Sequence, residues 1–167
     1  MMGGAPGAGA RLMATYDTTD RPVPTALDRL VDECRGRIAR VEPADVAAAL
    51  AAGAVLVDIR TDRQRRDLGV VPGSIWYPRN CLEWRCVPGT EHLDPAVARA
   101  GGHVIVMCLH GYQSSLAAAL LRELGVVHAG DLVGGFEGWV AAGLDVEPWD
   151  AARHALQGSD GASIRDY

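Results

Sequence analysis

"VIVMCLHGYQSSLAAALLREL", residues 104–124, changes its period partway along, and that change decides the fold. The opening VIVM is a continuous, β-branched apolar run, consistent with a strand buried on both sides. Leu116, Leu120, Leu121 and Leu124 then recur at helical spacing until Gly125. Cys108 sits at the junction. In an open α/β sheet, ligands gather beyond the carboxyl ends of the strands. A strand over 103–107 therefore delivers Cys108 to that edge, with a helix expected from about Ser114 or Ser115. The backbone between them can wrap N–H groups around the sulfur as an anion-binding nest. Gly111 allows the φ values that so tight a loop needs. The helix N-terminus behind it adds about half a positive charge. These features together favour a thiolate and make Cys108 a candidate nucleophile; the plainer alternative is an inert thiol filling the strand end.

Working outward, the same alternation of strand and helix continues. "VEPADVAAALAAGAVLVDIR" reads as a short strand, a helix opened by Pro43 and closed by Gly53, and a strand over Val55 to Ile59. "TDRQRRDLG" reads as a short polar helix whose arginines form a solvated face. "VVPGSIWYP" gives a turn and a short strand, "RNCLEWRCVPG" a helical turn or ordered loop, "VVHAGDLV" a last strand, and "GGFEGWVAAGL" a turn into a final helix. Strands alternating with helices imply an α/β sandwich around a largely parallel sheet. Ahead of this, Thr25 is a good N-cap for a leading helix with Leu27, Leu30, Val31, Cys34 and Ile38 on one stripe, expected to pack on the main domain. The expected organisation is a flexible tail over 1–24, a leading helix over 25–40, one α/β domain over 41–147 and a loosely held tail over 148–167.

Composition narrows the chemistry. The 167 residues suit one domain with some tail, and a formal charge of -5 argues against a general nucleic-acid binder. All sixteen basic residues are arginine, which excludes a Schiff-base lysine, a P-loop lysine and a Ser-Lys dyad. The cysteines, at 34, 81, 86 and 108, form neither a dense disulfide framework nor a CxxC metal pair. No metal or organic cofactor is expected. The N-terminal region has no apolar run long enough for a signal peptide or a membrane span, so the expected setting is a reducing cytoplasm with free thiols.

Four segments come in an order that resembles rhodanese-like domains: "VLVDIR" at 55–60, "VPGS" at 71–74, "VIVMCLHGYQSS" at 104–115 and "VGGFEGW" at 133–139. The resemblance covers roughly residues 41–147. "RNCLEWR" is similar to a stretch found in an actinobacterial branch. The resemblance implies a three-layer fold of about five mainly parallel strands flanked by helices. It also implies a sulfurtransferase with a persulfide on Cys108 and a cradle made by Leu109, His110, Gly111, Tyr112, Gln113 and Ser114. The partners implied are a small sulfur donor, thiosulfate or a persulfide, and a thiol or cyanide acceptor.

The match has gaps. Many active relatives carry a basic residue inside the cysteine loop, and this loop has no arginine. Arg79 and Arg85 are candidate replacements because guanidinium groups bind oxyanions in a bidentate manner. His110 is either cationic or simply a solvated hydrogen-bond donor. By resemblance, Asp58 and Arg60 brace the sheet end or ion-pair within the domain, and Phe136 and Trp139 anchor the core. Cys81 and Cys86 are either incidental small residues or resolving thiols for Cys108. Related phosphatases follow an H-C-x5-R pattern; here Met107 replaces the histidine and Ser114 stands at the arginine's place, which argues against that chemistry. A non-catalytic module for partner binding or redox sensing is the remaining alternative. Donor, acceptor and oligomeric state are left open by the sequence.

Overall fold

The computed structural model describes residues 23–154. Helix α1 (Ala26–Arg35) opens with the expected Thr25 cap, which forms a full capping box with Asp28. The alternating pattern then resolves into β1 (Ala39–Val41), a 3-10 turn at Pro43–Asp45 leading into α2 (Val46–Ala51), β2 (Val55–Asp58), α3 (Asp62–Leu68) and β3 (Ile75–Trp76). The "RNCLEWRC" stretch is a 3-10 turn, Arg79–Cys81, running into α4 (Leu82–Cys86). There follow α5 (Pro95–Arg99), β4 (Val104–Met107), α6 (Gln113–Glu123), β5 (Gly130–Leu132), α7 (Gly135–Ala141) and α8 (Ala151–His154).

The five strands form one parallel sheet in the order β1-β5-β4-β2-β3. β4 lies at its centre, and all four of its residues are buried. Side chains of successive strand residues point to opposite faces, and the core divides accordingly. Val57, Val104 and Val106 pack with Ala117, Ala118 and Leu121 of α6 on one face. Leu56, Ile105 and Met107 pack with Val46 of α2 and Phe136 and Trp139 of α7 on the other. Burying each Leu, Ile or Phe side chain stabilises the fold by about 1.5–3 kcal/mol. This is the three-layer α/β arrangement expected, and it points the C-terminal ends of β2 and β4 toward the same edge.

Two expectations need correction. The arginines of α3 are not all solvated: Arg65 is only 2% exposed, lies 3.5 Å from Asp58 and stacks on the Trp76 ring at 4.3 Å. A planar guanidinium can satisfy a carboxylate and an aromatic face together, so it tolerates burial that an exposed-looking pattern hides. The stripe of α1 is only half covered, with Val31 and Cys34 buried but Leu27 and Leu30 58% and 45% exposed. Of the C-terminal segment from 148, the described part carries α8, where the His154 carbonyl accepts a hydrogen bond from Arg65 Nη1 at 2.9 Å and Arg66 stacks on Trp149 at 3.8 Å. Of the expected tails over 1–24 and 148–167, residues 1–22 and 155–167 lie outside the described residues. Among the described residues no helix is long and apolar enough to cross a membrane.

Candidate functional site

Cys108 follows the last residue of β4, so the central strand fixes its position. The residue is 6% exposed. The Gly111 N–H donates to Sγ at 3.1 Å, and the Ser114 hydroxyl lies 3.3 Å from the sulfur. Ser114 is in the first turn of α6, whose N-terminus has no side-chain cap. The N–H groups of that turn put partial positive charge beside the sulfur. The sequence suggests several main-chain N–H groups around the sulfur; the structure sets a loop amide and a helix hydroxyl against it.

The loop is held from below by the "GG" segment. The Phe136 N–H donates to the Cys108 carbonyl at 2.9 Å and the Glu137 N–H to the Leu109 carbonyl at 3.0 Å. These are the first-turn donors of α7, satisfied by the cysteine loop itself. The approach is so close that a Cβ on Gly135 (φ +60°) would lie 2.5 Å from the Cys108 carbonyl oxygen and 2.7 Å from the Gly111 nitrogen. Gly111, at φ +76°, faces the same segment, with Gly134 N 3.1 Å from where its Cβ would be. The two glycines make a turn, as the sequence indicates, and also provide the contact surface for the cysteine loop.

A cleft of about 960 Å³ opens above the sulfur. Cys108, Leu109, His110, Tyr112, Gln113 and Arg79 line it, while Gly111 and Ser114 are buried beneath. His110 is engaged rather than simply solvated: its Nδ1 lies 2.8 Å from Glu137 Oε2. Arg79 is 35% exposed and paired with Glu83 at 2.6 Å, leaving it at the cleft wall.

Arg85 is not a cleft residue, contrary to expectation. It is 3% exposed, reaches Asp94 at 3.2 Å and lies over the Tyr77 ring at 5.1 Å. Asp94 also accepts hydrogen bonds from the Tyr77 hydroxyl and, as the α5 cap, from Ala96 N–H at 2.7 Å. This buried carboxylate needs a cation, and Arg85, further along the same helical segment than Arg79, is turned inward to supply it.

Asp58 and Arg60 form the expected brace, a fully buried pair at 2.8 Å in which Arg60 also donates to the Gly69 carbonyl at 2.9 Å and stacks on Phe136 at 3.7 Å. All four cysteines are free thiols. Burial pushes the Cys86 thiol up to about 12, aided by the nearby Asp94 charge, and burial also raises that of Cys81. Both are thus poor sources of the thiolate that a resolving role requires.

Some cleft residues escaped the sequence reading. Leu27, Asp28 and Val31 of α1 form one wall, and Ile59, Trp76 and Leu116 extend it. Arg35, at the end of α1, reaches the cysteine loop: Nη2 donates to the Gly111 carbonyl at 2.9 Å and Nε to Ser115 Oγ at 3.3 Å. The α1 stripe was a readable signal, but its contact across 76 residues of chain was not.

Comparison with known proteins agrees with this geometry. The family model described as "Rhodanese-like domain" matches residues 42–142, more than half of the chain. The thiosulfate sulfurtransferase GlpE of Actinobacillus pleuropneumoniae serotype 5b is 34% identical over 95 residues, covering 57% of this chain and 79% of its own. The GlpE of Actinobacillus succinogenes is 50% identical over 44 residues, 26% of this chain and 40% of its own. Among solved structures, a Rhodopseudomonas palustris protein of unknown function, described as a possible tyrosine phosphatase, superposes with a TM-score of 0.65 at 27% identity, covering 76% of this chain and 98% of that one. A thiosulfate sulfurtransferase from Pseudomonas aeruginosa shares the fold, with a TM-score of 0.53 at 22% identity over 75% of this chain and 24% of that one. With its four motifs in order, its parallel sheet and its cysteine loop seated on the glycine pair, the chain belongs to the rhodanese-like domain family.

Proposed function

We propose that this protein is a sulfurtransferase that carries sulfane sulfur as a persulfide on Cys108. The observation that carries the reading is the Cys108 sulfur at the end of the central strand, held by the Gly111 N–H at 3.1 Å and opening to the cleft. The Cys108 thiolate attacks the outer sulfur of a donor R–S–S⁻. A new S–S bond forms on Cys108, the bond from that sulfur to R–S breaks, and R–S⁻ leaves and takes a proton from solvent. An acceptor thiolate or cyanide then attacks the terminal sulfur of the persulfide and releases the Cys108 thiolate, with no net redox change in the enzyme. The persulfide anion is stabilised by preorganised donors, chiefly the Gly111 N–H and the helix terminus.

The cleft favours an organic persulfide over thiosulfate as donor. Its volume is that of a site for a whole organic molecule, and its walls include Leu27, Val31, Trp76 and Leu116. The loop offers no arginine to a dianion, and His110 faces the carboxylate of Glu137. Arg79 remains at the wall for the anionic end of the donor. A reducing compartment such as the cytoplasm suits this chemistry, because it keeps the Cys108 thiol available. Phosphatase chemistry is disfavoured: the place of a phosphate-clamping arginine is taken by Ser114, fully buried against the cysteine sulfur.

The test is steady-state sulfur transfer to cyanide from thiosulfate and from glutathione persulfide, in wild type and in Cys108→Ala. A cysteine-dependent rate, with the larger kcat/KM for the organic donor, supports the proposal. A binding or sensing module produces no thiocyanate from either donor.

A further inference from the structure

We propose that Arg35, on the leading helix outside the family-matched segment, is a positioning residue that sets the shape of the cysteine loop. The inference rests on the sulfurtransferase reading for its kinetic readout only. Arg35 Nη2 donates to the Gly111 carbonyl at 2.9 Å, and its guanidinium lies 5.0 Å from the centre of the Tyr112 ring. Asp32, one turn earlier on α1, steadies it at 3.5 Å.

The Ser115 hydroxyl also lies beside the Gly111 carbonyl, at 3.0 Å. That hydroxyl has a single proton. It also lies 2.6 Å from the Asp131 carboxylate, itself paired with Arg40 at 3.0 Å, and the charged acceptor takes the proton. Ser115 then serves Arg35 Nε as acceptor, and the Gly111 carbonyl depends on Arg35. In a trans peptide the C=O and the following N–H point in opposite directions. Holding the Gly111 carbonyl toward α1 therefore turns the Tyr112 N–H toward the inner side of the loop, where the persulfide charge develops. Without Arg35, the buried carbonyl has to find another partner, and the 111–112 peptide rotates to do so.

The experiment uses the full chain with Arg35→Met and Arg35→Lys. Arg37→Ala serves as the control, because Arg37 ties the end of α1 to Glu123 of α6 at 2.9 Å without touching the loop. Arg35→Met is expected to lower kcat about 10-fold, the size of a hydrogen bond from a charged donor, with KM for the donor changed less than about twofold. It is also expected to slow iodoacetamide capture of Cys108. Millimolar guanidinium restores both rates, Arg35→Lys restores them in part, and Arg37→Ala leaves both near wild type. An unchanged alkylation rate in Arg35→Met, equal losses in Arg35→Met and Arg37→Ala, or no rescue by guanidinium overturns the proposal. Since alkylation needs no sulfur donor, a protein without sulfurtransferase activity still yields a decision on Arg35.

Discussion

Replacing Gly135 with alanine tests whether the cysteine loop is shaped by its contact with the start of α7. The added methyl meets three backbone atoms under 3 Å: the Cys108 carbonyl oxygen at 2.5 Å, Gly111 N at 2.7 Å and Leu109 C at 2.9 Å. No flexible side chain is there to yield, so the two segments have to separate. The φ of +60° adds about 1–2 kcal/mol of left-handed strain for a residue with a Cβ. Overpacking adds about 1–3 kcal/mol. Separation also weakens the Phe136 and Glu137 N–H bonds to the loop carbonyls, at about 1 kcal/mol each. The expected loss is about 4–7 kcal/mol, or a Tm lower by about 12–20 °C. Gly143→Ala is the matched control, because Gly143 has φ +72° and nothing within 4 Å of its added Cβ; strain alone applies there. Urea denaturation gives the stabilities and iodoacetamide reactivity of Cys108 reports the loop. If the two variants lose the same stability within about 0.5 kcal/mol, and Cys108 reactivity is unchanged, close packing of the glycine pair does not hold the loop.

Arg85→Met strands Asp94 without its cation and is expected to destabilise the fold by about 3 kcal/mol while leaving donor KM unchanged; a raised KM at unchanged Tm would place Arg85 on the donor after all. Arg79→Ala is expected to raise KM for thiosulfate about fivefold at low ionic strength, less in high salt, and an unaltered KM at low salt removes Arg79 from donor binding. Stability is expected to fall in alkali. The folded state holds the Cys86 proton up to about 12, whereas the unfolded chain releases it at the ordinary thiol value, so the native state binds more protons in between. The loss begins as pH passes that ordinary value and continues to about 12, at about 1.4 kcal/mol per pH unit. Tyr77, whose hydroxyl is raised by burial and by Asp94, steepens the same decline. Cys86→Ala should flatten the slope measured by urea denaturation across this window; an unchanged slope contradicts the assignment.

Much of the fold was legible because its determinants are local. The unbroken VIVM run marks a strand with no solvent face, and Cys108 follows it directly. The α6 leucine spacing, the Thr25 cap and the glycine pair likewise reveal themselves within a few residues. The strand order was not legible, because short parallel strands joined by crossovers carry no pairing signal in their own sequence. The arginines were the least readable residues of all. Arg65, Arg79 and Arg85 look alike in polar or mixed segments, yet one stacks under Trp76, one lines the cleft and one neutralises a buried aspartate. The roles of Arg65 and Arg85 depend on Trp76 and Asp94, partners set by the folded chain, whereas Glu83 pairs with Arg79 from one helical turn away. Arg35 shows the same lesson across a longer distance, since its contact with Gly111 arises only when α1 packs on α6.

The central claim concerns one sulfur atom. Purified protein treated with glutathione persulfide and desalted should gain about 32 Da, one sulfur, and peptide mapping should place it on Cys108. Cyanide should remove it with formation of thiocyanate, and Cys108→Ala should gain nothing. An unchanged mass, or a sulfur found on Cys34, Cys81 or Cys86 instead, would contradict the account.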